Sequence, residues 1–295
     1  MANRFPDAPC VLCDSPSEGV GEHVISRWLI ELFGRQGPFK SEKAGVPYLN
    51  RKREVALQQS LPGVHVPMCS GCNNRLNRMI EVAARPVVAR LLPWSSQHVW
   101  PSIDSVEAKA LARWLLKVGL LWAHPDSHHD QPQVQCDPSM TRFEFVEREW
   151  LSWMRGGSDP PDGFTVYAVR RSLYADWAAW PETNRQYISL PRRVVVGDRT
   201  HRFMTRSFGI RGLDVTIVWH PGWPIAHPFV EQDRAAVLWP KPAPVNFDAL
   251  REAHPDEVSF VVVGTSIMTS AEEYERQAHR HPLGVGVLPM LGDMA

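Results

Sequence analysis

Two identical cysteine spacings constrain the fold of this chain more than any other sequence feature. Four of the five cysteines form two Cys-x-x-Cys turns, and each turn presents two sulfurs at the spacing that chelates one tetrahedral zinc ion. Random placement of five cysteines in 295 residues rarely gives this pattern. The sequence therefore predicts a closed, structural zinc site, with four thiolate ligands: Cys10, Cys13, Cys69 and Cys72.

Paired cysteines have two other common roles, as a redox pair and as disulfides. A thioredoxin-like redox pair needs a βαβ context, which is not visible around either turn. Two disulfides suit a secreted protein, but the residues from Met1 to Cys10 lack the apolar stretch of a secretory signal. Zinc is favoured over both, and the fifth cysteine, Cys136, is interpreted as an ordinary thiol.

The composition is that of an ordinary globular protein, with 44% hydrophobic and 22% charged residues. No apolar run reaches the roughly 18 residues of a membrane span, so we expect a soluble, cytoplasmic protein without a membrane partner. Lys+Arg and Asp+Glu balance at 32 each, so bulk charge does not indicate nucleic-acid binding. Any contact with a polyanion must come from local patches.

Hydrophobic periodicity predicts a strand-and-helix region followed by two further helices. Ser26 is placed to cap a helix that ends at Phe33, and residues 64–66 read as a short strand before the second cysteine turn. A longer helix follows from Asn73 to Leu92, which Pro86 should kink or interrupt.

The next helix is predicted between a capping box and a proline. Asp104 and Glu107 match the capping-box pattern, and apolar residues continue at helical spacing until Pro125. Trp114 in this helix is predicted to anchor the core. Another helix is expected over residues 143–154, and the chain then changes to short β-like runs that favour an antiparallel sheet: residues 164–169, 193–196, 201–205, 215–219 and 259–263.

These patterns together predict an α+β fold in three segments. Residues 1–98 form a zinc-stapled region with an insertion and a following helix, and residues 99–158 form a helical segment that packs on it. Residues 159–295 form a β-rich domain that selects a substrate or a partner. Arginines outnumber acidic residues over 160–215, which fits either a solvated sheet face or a phosphate-facing surface.

Three polar residues next to the cysteine turns carry a hydrolytic hypothesis: Glu22, His23 and Asn73. Phosphodiester hydrolysis needs a base for water and a hard cation for the charge that builds on the phosphate. His23 can act as the base, while Glu22 and Asn73 offer the oxygen ligands that Mg²⁺ or Mn²⁺ prefers. Because Asn73 directly follows a predicted zinc ligand, zinc binding would bring it beside Glu22 and His23.

The arrangement from Cys10 to Asn73 resembles an HNH, or ββα-metal, endonuclease finger of the four-cysteine endonuclease VII type. In that family an acidic residue and a histidine lie between two Cys-x-x-Cys pairs, and an asparagine follows the last cysteine. The resemblance implies that the cysteines bind structural zinc, that Glu22 and Asn73 bind a catalytic divalent ion, and that His23 is the general base. The chain is also similar to uncharacterised bacterial HNH proteins, many of which are suspected of defence against phage.

The predicted function is therefore a metal-dependent endonuclease, with DNA favoured over RNA as its substrate. A zinc-stapled nucleic-acid-binding module without catalysis and a non-catalytic subunit of a larger complex are the alternatives, and the role of His23 separates them from the enzyme. One finger holds one active site, so cleavage of both strands requires a homodimer or two successive events. The C-terminal region is the candidate surface for such a homodimer or for a protein partner.

Two departures from the family pattern concern the site itself. The usual acidic residue is aspartate, so the longer Glu22 alters the expected metal geometry. The middle asparagine of the full signature is not evident, and His65 occupies the stretch where it would lie. Facing solvent is the favoured interpretation of His65, and substitution for the asparagine is the other.

Further polar residues near the cysteine turns are candidate substrate contacts. Arginines on the neighbouring helices can grip phosphate, and Asn77 shares a helix face with Asn73, although an exposed helix surface explains them equally well. Residues 127–130, Ser-His-His-Asp, are interpreted as a solvated loop. The candidate substrate-binding residues are Arg27, Arg75, Arg78 and Asn77.

Overall fold

The computed structural model describes most of the chain. Asp130, Cys136 and residues 143–145 lie outside the described residues, as do residues 98 and 295, where two of the three predicted segments end. The described residues are 5, 7–33, 39–40, 42–43, 46–47, 57–58, 63–92, 99–129, 146–171, 186–210, 212–220, 222–223, 225–254, 257–272 and 276.

Five α-helices and one π-helical segment are found in this part of the chain. No helix among the described residues is both long enough and apolar enough to cross a membrane. The helices are α1 (Arg27–Phe33), α2 (Ser70–Leu76), the π segment (Asn77–Glu81), α3 (Val82–Leu91), α4 (Ser105–Trp122) and α5 (Arg148–Gly156).

The strands are short in the first part of the chain and longer in the last part, so helices and mainly antiparallel sheets coexist in an α+β fold. The strands are β1 (Glu18–His23), β2 (Phe39–Lys40), β3 (Glu42–Lys43), β4 (Val46–Pro47), β5 (Leu57–Gln58), β6 (Val64–Met68), β7 (Ser102–Ile103), β8 (His128–His129), β9 (Phe164–Arg170), β10 (Gln186–Val196), β11 (Arg199–Arg202), β12 (Met204–Ile210), β13 (Leu213–Trp219), β14 (Ala235–Trp239), β15 (Val245–Asn246) and β16 (Val258–Thr269).

The chain divides into two compact units. The first unit comprises Met1–Pro86 and Arg113–Pro161, and the second comprises Val87–Ala112 and Asp162–Ala295. Each unit is therefore assembled from two separate stretches of sequence. The three functional segments expected from the sequence remain predictions.

A three-stranded sheet in the order β1-β6-β8 forms the centre of the first unit. β1 pairs antiparallel with β6, with Glu22 opposite Val66 and His23 opposite His65. β8 pairs with the other edge of β6, so the expectation of a loop at His128 and His129 is wrong for these two residues. The backbone of β6 offers hydrogen-bonding groups along both edges, so the backbone of residues 128–129 can pair with it as a short strand.

The helix after the second cysteine turn continues through Pro86. α2, the π segment and α3 follow one another directly, and Pro86 lies inside α3, so the predicted interruption at this proline does not occur. The departure from α-helical geometry lies earlier, at Asn77–Glu81. A π segment accommodates one extra residue in a helix and shifts the direction of the side chains that follow.

α4 begins with the capping box expected from the sequence. The Glu107 amide donates to Asp104 Oδ1 (2.8 Å), and the Asp104 amide donates to Glu107 Oε2 (3.2 Å). These reciprocal bonds satisfy amide groups that would otherwise be unpaired at the helix start. Trp114 is 1% exposed, which confirms its predicted place in the core.

The second unit contains a four-stranded antiparallel sheet in the order β12-β13-β9-β14 and a three-stranded sheet in the order β11-β10-β16. The expectation of antiparallel pairing throughout is wrong for β10 and β16, which run parallel. Among the described residues, five strands separate β10 from β16 along the chain, and three of them (β12, β13 and β14) belong to the four-stranded sheet. This long connection returns the chain in the same direction. Buried side chains of both sheets form one apolar cluster, which includes Tyr167, Leu190 and Phe260.

Candidate metal centre and active site

The four predicted zinc ligands lie together in the first unit. Their sulfur atoms are all within 4.8 Å of one another, and the Cys13 and Cys69 sulfurs are 3.6 Å apart. Four thiolates placed about 2.3 Å from a central zinc ion are separated by about 3.8 Å in a tetrahedron. The cluster can hold a metal ion such as zinc. All four cysteines are free thiols, so disulfide pairing does not describe them.

Backbone hydrogen bonds shape each cysteine turn. The amides of Cys13 and Asp14 both donate to the Cys10 carbonyl, and Asp14 adopts a left-handed conformation with φ of 59°. In the second turn, Cys72 lies in the first turn of α2 and the Asn73 amide donates to the Cys69 carbonyl (3.0 Å). The turns therefore direct two sulfurs each toward a common centre.

The thiols titrate at different pH values. Hydrogen bonds from Ser15 lower the pKa of Cys13 to about 6, so this sulfur is largely a thiolate at neutral pH. Burial raises the pKa of Cys10 and of Cys72. A bound Zn²⁺ ion favours the thiolate form of every ligand, so metal binding releases a proton from each ligand that is still a thiol.

Gly21 permits the close approach of β1 to its neighbours just before Glu22 and His23. Its φ of 72° is left-handed, and a Cβ at this position would lie 2.6 Å from the Val66 carbonyl oxygen and against the Phe5 ring. The register between β1 and β6 shifts between Glu18 and Glu22. This irregularity directs the two following side chains, because a bulge re-aims the residues beside it.

Glu22 and Asn73 meet in the structure. A side-chain hydrogen bond joins them, in which the Asn73 amide donates to the Glu22 carboxylate. Burial raises the pKa of Glu22, and the Lys117 charge and the Asn73 hydrogen bond work against that effect. Both side chains carry oxygen atoms, which are the donor type that Mg²⁺ and Mn²⁺ prefer.

His23 faces a second histidine across the sheet. The ring centroids of His23 and His65 are 4.2 Å apart, with 55° between the ring planes. His65 is 1% exposed, so the expectation that it faces solvent is wrong. β6 is the central strand of its sheet and every residue in it is buried, whereas the alternation in the sequence had suggested one solvated face.

A fully buried ion pair lies beside the end of β1. Lys117 of α4 and Glu81 of the π segment are 0% and 6% exposed, and Lys117 Nζ lies 2.8 Å from Glu81 Oε1. The Lys117 ammonium also donates to the carbonyl oxygens of His23 (3.2 Å) and Val24 (3.0 Å). Its three N–H donors therefore have three acceptors.

Ser26 and Trp114 extend this buried group, which we call the Lys117 network: Ser26, Glu81, Trp114 and Lys117. The Ser26 hydroxyl donates to Glu81 Oε1 (2.7 Å) and accepts from Trp114 Nε1 (2.9 Å). Burial works to raise the pKa of Glu81, but the Lys117 charge and these hydrogen bonds outweigh it and hold the pKa below its ordinary value.

The Lys117 network was not predicted, although the sequence contains a signal for it: two single charges inside apolar runs. Lys117 stands between Leu116 and Val118 in an apolar run, and Glu81 stands between Ile80 and Val82 in another. A single charge inside an apolar run is unusual, because burying it alone is unfavourable. Two such runs with opposite charges are a signal for a buried pair.

The candidate substrate-binding residues lie on exposed helix surfaces in the first unit. Arg27 pairs with Glu31 one turn along α1 at 2.8 Å, and Arg75 donates to the Arg155 carbonyl oxygen (2.7 Å). Arg78 donates to the Asn74 carbonyl oxygen (3.4 Å). Asn77 is exposed, and its amide donates to the carbonyls of the preceding turn. Contact of these side chains with a substrate remains a prediction.

Comparison with known proteins gives no relative for this chain. No family model, no curated protein and no solved structure matches it. The function must therefore be inferred from the chemistry of the residues that the fold brings together.

Proposed function

We propose that this protein is a metal-dependent HNH-type endonuclease that hydrolyses phosphodiester bonds in nucleic acid, with DNA as its main substrate. The observation that carries the proposal is the meeting of Glu22 and Asn73, where a hydrogen bond from Asn73 works to lower the pKa of Glu22. His23 directly follows Glu22 and Asn73 directly follows Cys72, so the 51 positions between Glu22 and Asn73 are closed next to both the histidine and the cysteine cluster. A binding module has no need of this polar pair beside a histidine.

The order of elements supports a ββα-metal finger as the local fold. β1 and β6 are antiparallel neighbours, and α2 starts two residues after β6. The cysteine cluster joins the turn before β1 to the start of α2. We propose structural zinc in this cluster, where it keeps Asn73 beside β1.

Glu22 and Asn73 would hold the catalytic Mg²⁺ or Mn²⁺ ion. Their donor atoms are oxygens, and two protein ligands suffice for magnesium because waters and phosphate oxygens complete its coordination. When bound, the ion neutralises charge on the scissile phosphate and on the departing oxygen.

His23 would accept a proton from the attacking water. A neutral imidazole accepts through one ring nitrogen, and its ordinary pKa near 6.5 suits this role at neutral pH. His65 packs against the His23 ring and limits its movement. The second unit would select the substrate or a partner, and a second copy of the chain would supply the second cut in a duplex.

The test is cleavage of supercoiled plasmid, single-stranded DNA and RNA with Mg²⁺ or Mn²⁺. We expect nicking by the wild-type protein and a loss of about 100-fold or more in His23→Ala, since removal of a general base typically lowers the rate 10²–10⁴-fold. Glu22→Gln should raise the metal concentration needed for half-maximal cleavage. Zinc content is measured in every variant.

The matched control is His124→Ala, which removes a histidine of the same unit that pairs with Asp126 outside the site. It should cleave at the wild-type rate. Cleavage that persists in His23→Ala would contradict the role of the base. No cleavage by any variant, together with retention of DNA on a gel, would favour the nucleic-acid-binding module.

A further inference from the structure

We propose that Lys117 is a positioning residue of the active site: its ammonium fixes the bend at the end of β1 so that Glu22 and His23 keep a defined orientation. This inference rests on the proposed nuclease function. It goes beyond that function because it assigns a role to a residue on a helix far along the sequence from both cysteine turns.

The geometry at the end of β1 carries the argument. In a regular strand, consecutive carbonyl groups point to opposite sides, so one donor cannot reach both. The Lys117 ammonium reaches the carbonyl oxygens of His23 and Val24 because the chain bends directly after His23. The two bonds therefore stabilise a bend immediately next to the proposed base.

The ammonium itself is held in place by Glu81. The π segment ends at Glu81, and its carboxylate accepts from both Lys117 and the Ser26 hydroxyl. Ser26 follows the bend and immediately precedes α1. The Lys117–Glu81 pair therefore contacts the chain before the bend, at the His23 carbonyl oxygen, and after it, at the Ser26 hydroxyl. π segments are frequent at functional sites, where one extra residue redirects a side chain.

Burial makes this arrangement rigid. Lys117 and Ser26 are 0% exposed, so water does not compete for their hydrogen bonds. A buried ion pair is weak evidence for a stabilising role, because an apolar pair of similar size is often equally stable. Here the pair also binds two backbone carbonyls beside the proposed base, which an apolar pair cannot do.

The experiment compares the wild-type protein with the double variant Lys117→Met/Glu81→Gln. This variant keeps the approximate side-chain volumes and leaves no unpaired buried charge. Zinc content and the melting temperature verify folding. Hydrogen exchange at the Val24 amide, which donates to Val64 (2.8 Å), reports the bend without any need for activity. Plasmid nicking gives kcat and KM.

We expect the Val24 amide to exchange at least about ten times faster in the double variant, and kcat to fall about 10–100-fold with KM within a factor of about two. Small displacements of a catalytic group lower rates by this order. The Trp150 amide, which donates to the Glu147 carbonyl oxygen (3.0 Å) in the same unit and outside the Lys117 network, is the internal reference for general loosening of the unit.

The matched control is Leu121→Ala, a buried substitution on α4 that weakens packing without removing a hydrogen bond to β1. It should lower the melting temperature and leave kcat and the ratio of Val24 to Trp150 exchange unchanged. Equal losses of kcat in Leu121→Ala and the double variant would overturn the positioning role. Unchanged Val24 exchange in the double variant would overturn it as well.

The two proposals fail in different ways. If the wild-type protein does not cleave, the nuclease proposal fails, while faster Val24 exchange in the double variant still supports the role of Lys117 in the bend. If the wild-type protein cleaves and the double variant has faster exchange but unchanged kcat, the bend does not position the base and this inference is overturned.

Discussion

The two units bury ionisable side chains in different ways, as an ion pair in the first unit and two histidines in the second show. The first unit encloses a charged pair, Lys117 and Glu81, in which every ammonium donor has an acceptor. The second unit encloses two histidines, His220 and His227, that are 5% and 3% exposed. Burial lowers the pKa of both histidines to about 4, so they are neutral at neutral pH.

The surroundings explain the difference. His227 lies among aromatic rings, including Tyr167 and Phe260, and these offer no charge that would favour a protonated ring. His220 Nε2 and Thr165 Oγ1 lie 2.8 Å apart in a hydrogen bond that a neutral imidazole ring can make. His220 and His227 are thus packed as neutral groups, whereas the buried Arg171 of the same unit lies 3.4 Å from Asp214 in an ion pair. The first unit maintains buried charge next to its candidate site, and buried charge is unfavourable unless it is fully paired.

The strongest contrast between the units should come from loss of the metal site. Cys69→Ser removes one of four ligands, and structural zinc contributes on the order of 10 kcal/mol to the folding of small zinc domains. We expect loss of bound zinc and unfolding of the first unit, with hydrogen exchange of the second unit retained. Zinc analysis and exchange mass spectrometry measure both.

Cys136→Ser is the control for this change, since Cys136 belongs to neither Cys-x-x-Cys turn of the sequence. It should keep a full zinc complement and the wild-type exchange pattern. Retention of zinc and of an intact first unit in Cys69→Ser would show that the cluster is not the metal site.

A smaller effect is expected when one charge of the Lys117 network is removed. Lys117→Met leaves Glu81 buried without its partner, and uncompensated buried charges lower the free energy of unfolding by about 3–5 kcal/mol. Addition of Glu81→Gln should recover most of that loss. Chemical denaturation of the three proteins measures it, and a single variant as stable as the double variant would contradict the assignment of a charged pair.

The most gradual predicted effect is a difference in acid sensitivity, which develops over more than two pH units. Unfolded histidines take up protons near pH 6.5, whereas folded His220 and His227 do so only near pH 4. The second unit should therefore lose stability as pH falls from 6.5 to 4, by about 3 kcal/mol for each histidine at most. The first unit holds Glu81 ionised below its ordinary pKa, so that contribution is lost only on acidification below about pH 4.5.

Hydrogen exchange of each unit between pH 7 and pH 4, corrected for the intrinsic rates, distinguishes these windows. The variant His227→Phe keeps the aromatic packing and removes one titrating ring, so it should show a weaker pH dependence in the second unit. An unchanged pH dependence of the second unit in His227→Phe would contradict this prediction.

Local sequence patterns predicted the elements whose causes are local. The capping box at Asp104 and the cysteine turns depend on side chains within a few residues of one another, and both appear as expected. The parallel pairing of β10 with β16 was not predictable in this way. Alternation identifies a strand and its faces, but the direction of its partner depends on the connection between them.

The candidate site shows the same limit. The spacing of the cysteine turns identified Glu22, His23 and Asn73 as candidates, because Glu22 and His23 lie between the two turns and Asn73 directly follows the second. The burial of His65 depends on β8, which reaches the sheet from more than sixty residues further along. The pairing of Lys117 with Glu81 depends on the packing of α4, and a charge in an apolar run does not reveal its partner.

The distance along the chain between His23 and Lys117 has a consequence for synthesis. The bond between them closes a separation of 94 residues, and contacts of this range form late because loop closure opposes them. A nascent chain exposes its cysteines and His23 well before α4 leaves the ribosome. Under the proposed function, an unfinished copy can bind zinc but lacks an oriented base, so hydrolysis is delayed until the chain has grown beyond Lys117.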